Sequence, residues 1–461
     1  MHLSSSLLLA IFLHLSQAAP DGKASTITTI ATSKEDAFSQ GFAFPHMGSA
    51  SRVVFTGYGN DGMELISSRN GRTTVIAKAT SANQVAPSRI KFLGLAEPCS
   101  TATETIFVGQ TQGNEQGLFL ASPSGLEMLV KQGSTYATLS DPALSPDAGG
   151  SYAFTGTTAD GIGGLFAAGS PSSPVRMLVN STRRIPNSRT GQKFACISSP
   201  AVGDAFVAFF GSSCDGSSTR IGRSARMMRT RRASEHAVHD AASNLDAGIF
   251  ATPLPTGQQQ TLQPPPATVA AATVRALTVV ADFETAVPGV AMHAASQANQ
   301  ETFTAFSNPA AAPGVIGFVG ETSTGRVGVY TYDVATAELR VVADTATAVP
   351  GTRGQGSFAD FPYPPSVAAG GACVFYAAAS GAQSGLYAYK PSARGATLHA
   401  LVTLADAIDG SAIAFLGLGS GAFDGATAAF YAVTASTDGV FTVEVQELAG
   451  AVETANSSVA F

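Results

Sequence analysis

The chain has 461 residues, of which 45% are hydrophobic and only 13% charged, with a formal net charge of −6. That apolar fraction excludes a disordered polymer, and the acidic balance argues against a nucleic-acid or anionic-membrane partner. Four cysteines in so long a chain exclude a disulfide framework as the source of the fold.

The first stretch, "MHLSSSLLLAIFLHLSQAAP", holds an apolar run from Leu7 to Leu15, then Ser16 and Ala18 at signal-peptidase spacing. Residues 1–18 are therefore expected to be a secretory signal and the protein to be extracellular. No later stretch reaches the ~18 uninterrupted apolar residues of a membrane span, so none is expected.

Beyond it the chain repeats itself. A short strand of the form apolar-Phe-x-Gly occurs as "VFTG" (54–57), "IFVG" (106–109), "AFTG" (153–156), "AFFG" (208–211) and "GFVG" (317–320). Weaker copies, "VFYA" (374–377) and "AFYA" (429–432), bring the anchors to seven: Phe55, Phe107, Phe154, Phe209, Phe318, Phe375 and Phe430. They recur every 47 to 57 residues, with one interval of 109 that holds an insertion. After most anchors comes Gly-aliphatic-aromatic, as in "GLF" at 117 and 164, "GIF" at 248, "GVY" at 328, "GLY" at 385 and "GVF" at 439; the first copy has only "GMEL" at 62. An element such as "FTAFSNPA" (303–310) precedes the anchor, and one such as "LRVVAD" closes the unit. Each copy thus reads as a four-stranded antiparallel meander that must stack on its neighbours to bury both faces.

The passage between copies is itself repeated: "VVADFETAVPG" (279–289) and "VVADTATAVPG" (341–351) differ at two of eleven positions. Pro and Gly there fix a turn made once per copy. The last copy lacks a fourth strand, and "ITTIATS" (27–33) aligns with "LTVVADF" (277–283), so the N-terminal strand is expected to complete the last blade. The expectation is an all-β fold over 26–448, a seven-bladed β-propeller of four-stranded antiparallel blades closed by that strand, with a tail at 449–461.

On these motifs the chain resembles seven-bladed β-propeller repeat proteins, and in its connections uncharacterised secreted propellers that carry VADxxTxVPG. The Trp-Asp of WD repeats, the kelch pattern and the sialidase Asp-box are absent, and the chain has no Trp. The resemblance implies an architecture and no functional residues.

Asp282, Asp344 and Asp406 are read as the first residue of the connection, with Asn180 in that place in "LVNSTRRIPN". Such residues accept hydrogen bonds from turn amides; the alternative is a ring of cation-binding carboxylates at the channel mouth. The insertion, 212–246 in the fourth copy, carries Arg220, Arg223, Arg226, Arg229, Arg231 and Arg232. It reads as a solvated loop, as a processing site at "RTRR" (229–232), or as a site for sulfated or carboxylated polymers. Glu235, His236, His239 and Asp240 follow without the order of a metal motif, and no metal or cofactor is expected.

Cys196 and Cys214 can bridge the base of the insertion, a loop worth about 3 kcal/mol in the chain-entropy model. Cys99 and Cys373, in copies two and six, are not expected to pair. Asn180 and Asn456 begin glycosylation sequons, and 251–273 reads as a low-complexity loop.

Two functions compete. One is a secreted binding or scaffold propeller, monomeric, for an extracellular protein or polysaccharide. The other is a propeller-type glycan hydrolase or lyase using channel-mouth acids such as Asp141, Asp282, Asp344, Asp360 and Asp406. Repetition weighs against the second, because catalysis needs one asymmetric cluster, so an enzyme is the less favoured reading.

Overall fold

The computed structural model describes residues 26–33, 38–43, 45–48, 51–60, 62–79, 90–96, 98–146, 150–188, 190–213, 246–255, 276–289, 300–351, 356–392 and 395–445. The expected signal at 1–18, the core of the insertion and the tail at 449–461 lie outside these residues. Among the described residues no helix is long and apolar enough to cross a membrane.

The fold is all-β and propeller-type: antiparallel meanders follow one another along the chain. The third copy pairs Tyr136–Leu144, Tyr152–Thr158, Gly163–Ala168 and Arg176–Asn180 in that order. The fourth pairs Cys196–Val202, Phe206–Ser212, Ala247–Pro253 and Thr278–Asp282. The low-complexity loop expected from 251 therefore starts later, since the strand runs through Pro253. The first two copies share one nine-stranded sheet, joined by a single parallel bridge, Ala79 to Phe92.

One packing rule runs through all copies. In six copies the anchor Phe lies directly opposite the aromatic of Gly-aliphatic-aromatic on the next strand, as Phe107 faces Phe119, Phe154 faces Phe166, Phe209 faces Phe250 and Phe318 faces Tyr330; in the first, Phe55 faces Ile66. Successive strand residues point to opposite faces, so the aliphatic residue before that aromatic emerges on the other side. There it packs against the anchor of the following copy: Leu65 with Phe107, Leu118 with Phe154, Leu165 with Phe209, and Ile249 with Phe318. Val329 with Phe375 and Leu386 with Phe430 continue the series. Val440 of the last copy packs in the same way with Phe55 of the first. An inner aromatic closes several of these cores edge-on, as Phe194 does on Phe250 with centroids 5.2 Å apart.

The glycine of the motif has a steric cause. The outer strand carries a bulge opposite the aliphatic-aromatic pair, as between Leu165 and Phe166. The bulge brings a carbonyl over the glycine, so a Cβ on Gly164 would sit 2.8 Å from the Val179 oxygen. In the first copy Glu64 holds this position and pairs with Lys78 at 2.6 Å. Gly164→Ala is expected to cost about 1–3 kcal/mol. Gly163→Ala, where a Cβ meets nothing within 4 Å, should be near neutral, and urea unfolding of the two variants checks the contrast.

The strand Ile27–Thr32 pairs antiparallel with Asp438–Glu444, and its bulge between Thr29 and Ala31 matches those of the other outer strands. Three of the turns out of the outer strands put a residue at positive φ after Pro: Gly289 at 81°, Gly351 at 82° and Asn187 at 60°. Gly and Asn tolerate that region, which explains their recurrence after proline.

Candidate functional site

The outer-strand turns and the hairpins after the anchors lie at one end of the sheets, since Arg326 of one such hairpin reaches the turn residue Asp344. There Asp282 Oδ1 accepts from the Glu284 amide at 3.0 Å and the Thr285 hydroxyl at 2.7 Å. Asp344 repeats this with the Ala346 amide and Thr347 at 3.0 and 2.8 Å, and Asn180 Oδ1 accepts from the Thr182 amide and hydroxyl. At all three positions the side-chain oxygen accepts from the amide two residues on.

Asp406 differs. Register opposite the motif glycine puts Thr403, not Asp406, in the place of Asp344. Asp406 stands three residues on, where Thr285 and Thr347 stand, and its Oδ2 accepts from the Thr403 amide at 2.7 Å. Acid and hydroxyl have exchanged positions while the bond across the turn is kept. That is the physical correction to the aligned reading of the three aspartates.

The turn end also holds residues that no motif announced. Asn187 Nδ2 donates to Asp282 Oδ2 at 3.1 Å. Arg326 donates to Glu301 Oε2 at 2.7 Å and to Asp344 Oδ2 at 3.0 Å, while Thr322 and Thr324 donate to Glu301 Oε1. Glu301 is buried; burial opposes its charge, and the threonines and Arg326 together hold its carboxyl below the usual range. Burial likewise pushes the Tyr330 phenol well above its usual range. These groups tie one hairpin to the turns on either side of it.

The remaining predicted residues are dispersed. Ser213 and Asp246, the described ends of the insertion, exchange hydrogen bonds at the same position as Thr322 and Arg326. All six arginines, Glu235, His236, His239, Asp240, Cys214 and Asn456 lie outside the described residues. Cys196 lies opposite Ser212, two residues before Cys214, and has no disulfide partner among the described residues. Cys99 and Cys373 do not pair with each other. Asp141 accepts from the Thr155 hydroxyl at 2.9 Å, and Asp360 from the Phe361 amide at 2.8 Å.

At the inner strands a second cluster joins three copies. His46 Nε2 lies 3.4 Å from Cys99 Sγ, which accepts from the Leu144 amide at 3.2 Å. His46 Nδ1 accepts from the Ser100 amide at 3.3 Å and lies 3.2 Å from Ser100 Oγ. Burial takes the imidazole down to about 4 and pushes the thiol up to about 11, so the pair is neutral. With the unfolded imidazole titrating near 6.5, its stabilisation is complete above pH 6.5 and is lost as pH falls toward about 4. The melting-temperature profile should fall across that window by the equivalent of about 3 kcal/mol, and His46→Gln should remove that portion of the slope.

No protein-family model matches the chain, and no curated protein does. Solved structures similar to it include the β-propeller domain of the Trilobed protease from Pyrococcus furiosus, at 8% identity and a TM-score of 0.45, covering 89% of this chain and 98% of that one. TolB from Acinetobacter baumannii is similar at 11% identity and a TM-score of 0.34, over 89% of this chain and 65% of its own length. A puromycin-hydrolyzing peptidase of Mycobacterium tuberculosis follows at 14% and 0.43, over 89% of this chain and 52% of its own. The chain therefore spans about half to two thirds of the length of these last two proteins.

Proposed function

We propose that the chain is a secreted, monomeric β-propeller of seven blades, closed by its first strand, that serves as a binding or scaffold module for an extracellular protein or polysaccharide. The packing rule supports the ring, because it continues from Val440 of the last copy to Phe55 of the first. The observation that carries the binding reading is the origin of the insertion: it leaves the fourth sheet after the pair Ser212 and Ala247, at the end where the turns lie. The carboxylates of that end are engaged by amides, threonines and Arg326, which disfavours a pair of acids free for glycan cleavage. The six arginines between positions 220 and 232 of that insertion suit sulfate or carboxylate groups, which guanidinium binds bidentately. A Cys196–Cys214 bridge would hold its base.

The test is retention of the purified protein on an immobilised sulfated polysaccharide across a salt gradient. Replacing Arg220, Arg223, Arg226, Arg229, Arg231 and Arg232 by Ser should move elution to clearly lower salt. Unchanged retention would remove the anion reading, and release of soluble sugar products would favour the enzyme. A single intact chain on reducing gels would dismiss processing at "RTRR".

A further inference from the structure

The connection into the fourth copy departs from its counterparts at one place. Its two limbs pair antiparallel: the Ile185 amide donates to the Gln192 carbonyl at 2.8 Å and the Phe194 amide to the Arg183 carbonyl at 3.1 Å. Ile185 and Phe194 are buried in the core, while Arg184 and Lys193, directly opposite each other, are exposed. The same register position holds Ala286 and Thr302 in the next connection, then Ala348 and Ser357, then Ala407 and Ala412. Small neutral pairs thus stand where the fourth copy sets two cations face to face, an arrangement that is destabilising by itself. Neither cation forms an ion pair with a described residue.

We infer that Arg184 and Lys193 form a fixed binding site for a sulfate ester of a polysaccharide. The inference rests on the binding-module reading and adds a subsite built on paired backbone. Residues facing each other across an antiparallel bridge have Cβ atoms about 4.5–5.5 Å apart, so both head groups reach one ligand. A guanidinium alone takes both oxygens of a carboxylate through its planar fork. A sulfate ester has a third terminal oxygen, which the Lys193 ammonium takes as a point charge. The surroundings favour an anion. Between Asp160 and Asp204 the chain holds Arg176, Arg183, Arg184, Arg189 and Lys193 and no acidic residue, in a protein of net charge −6. The pair also stands near the root of the insertion: the Ala195 amide, two residues past Lys193, donates at 2.7 Å to the carbonyl of Ser212, the last residue of its strand.

Binding of the full chain to heparin, a sulfated polysaccharide, at about 0.15 M salt tests the site. Arg184→Ala combined with Lys193→Thr installs the pair found at Ala286 and Thr302, so the fold should persist, and an unchanged melting temperature checks this. Should melting fall, Arg184→Gln with Lys193→Gln keeps the side-chain stems and takes its place. The expected result is a Kd raised about 10-fold, with a smaller loss on completely desulfated heparin, which keeps its carboxylates. Arg69→Ser with Arg72→Ser removes equal charge from a facing pair at the other end of the sheets and should change Kd by less than about 2-fold. Equal losses for the two double variants, or on both polymers, would overturn the proposal. So would an unchanged Kd for Arg184→Ala with Lys193→Thr while replacement of the six insertion arginines weakens binding, an outcome the binding-module reading survives. Weakening through the pair alone supports this site and dismisses the insertion. No binding by the unmodified protein overturns both.

Discussion

Deletion of residues 26–32 is expected to lower the melting temperature of the whole protein by on the order of 10 °C. The strand Ile27–Thr32 contributes little apolar area by itself, but Ala31 packs with Phe42, Val53 and Phe55, between the last copy and the first. Its removal uncovers the edge of Asp438–Glu444, whose Val440 and Phe441 are fully buried. An exposed apolar edge strand invites pairing with other chains, so aggregation should rise with the fall in melting temperature. In the proposed ring, opening one junction would turn a closed set of interfaces into an open row with two weak ends. Scanning calorimetry with light scattering reads both effects. A melt unchanged by the deletion would mean that the strand closes nothing.

The second large effect is expected at Arg52. This buried guanidinium donates through Nε to Ser67 Oγ at 2.8 Å, and through Nη1 to the carbonyls of Glu104 and Thr101 at 2.8 and 3.1 Å. Nη2 reaches Thr105 Oγ1 at 2.9 Å. One side chain of the first copy thus satisfies the backbone at the inner hairpin of the second. Arg52→Met removes these four bonds, although the Glu104 carbonyl keeps the Thr101 amide, and should destabilise by about 3–5 kcal/mol. Arg52→Lys should recover little of this, since an ammonium cannot reproduce the planar fork. Urea midpoints at constant slope give the measurement, and a loss below about 0.5 kcal/mol for Arg52→Met would show that the clip carries no weight.

The parts of this molecule legible in its sequence are those determined locally. Each anchor Phe announces a strand because one face of every sheet must hold an aromatic, and all seven anchors are fully buried. Gly-aliphatic-aromatic is legible for the same reason, its glycine marking the bulge of the neighbouring strand. Asp406 is out of step with Asp282 and Asp344 because register, not residue identity, sets the place in the turn: Thr403 and Asp406 make the same turn with their chemistry exchanged. The clusters of Arg52, of Glu301 with Arg326, and of His46 with Cys99 left no local signal. Their partners are separated by 15 to 53 residues in the chain, and meet only because stacking brings neighbouring copies or neighbouring strands together. His46, Cys99 and Leu144 belong to three successive copies and share no spacing that a repeat could reveal.

The proposed ring closure underlies the deletion prediction. The most direct measurement is a cysteine cross-link across the junction. Thr28 and Thr442 face each other in register, so Thr28→Cys combined with Thr442→Cys brings two thiols within disulfide reach. Mild oxidation should give an intramolecular disulfide between these positions, found by peptide mapping of monomeric protein, and a higher melting temperature. Thiols that stay free, or that join only separate molecules, would contradict the closed ring.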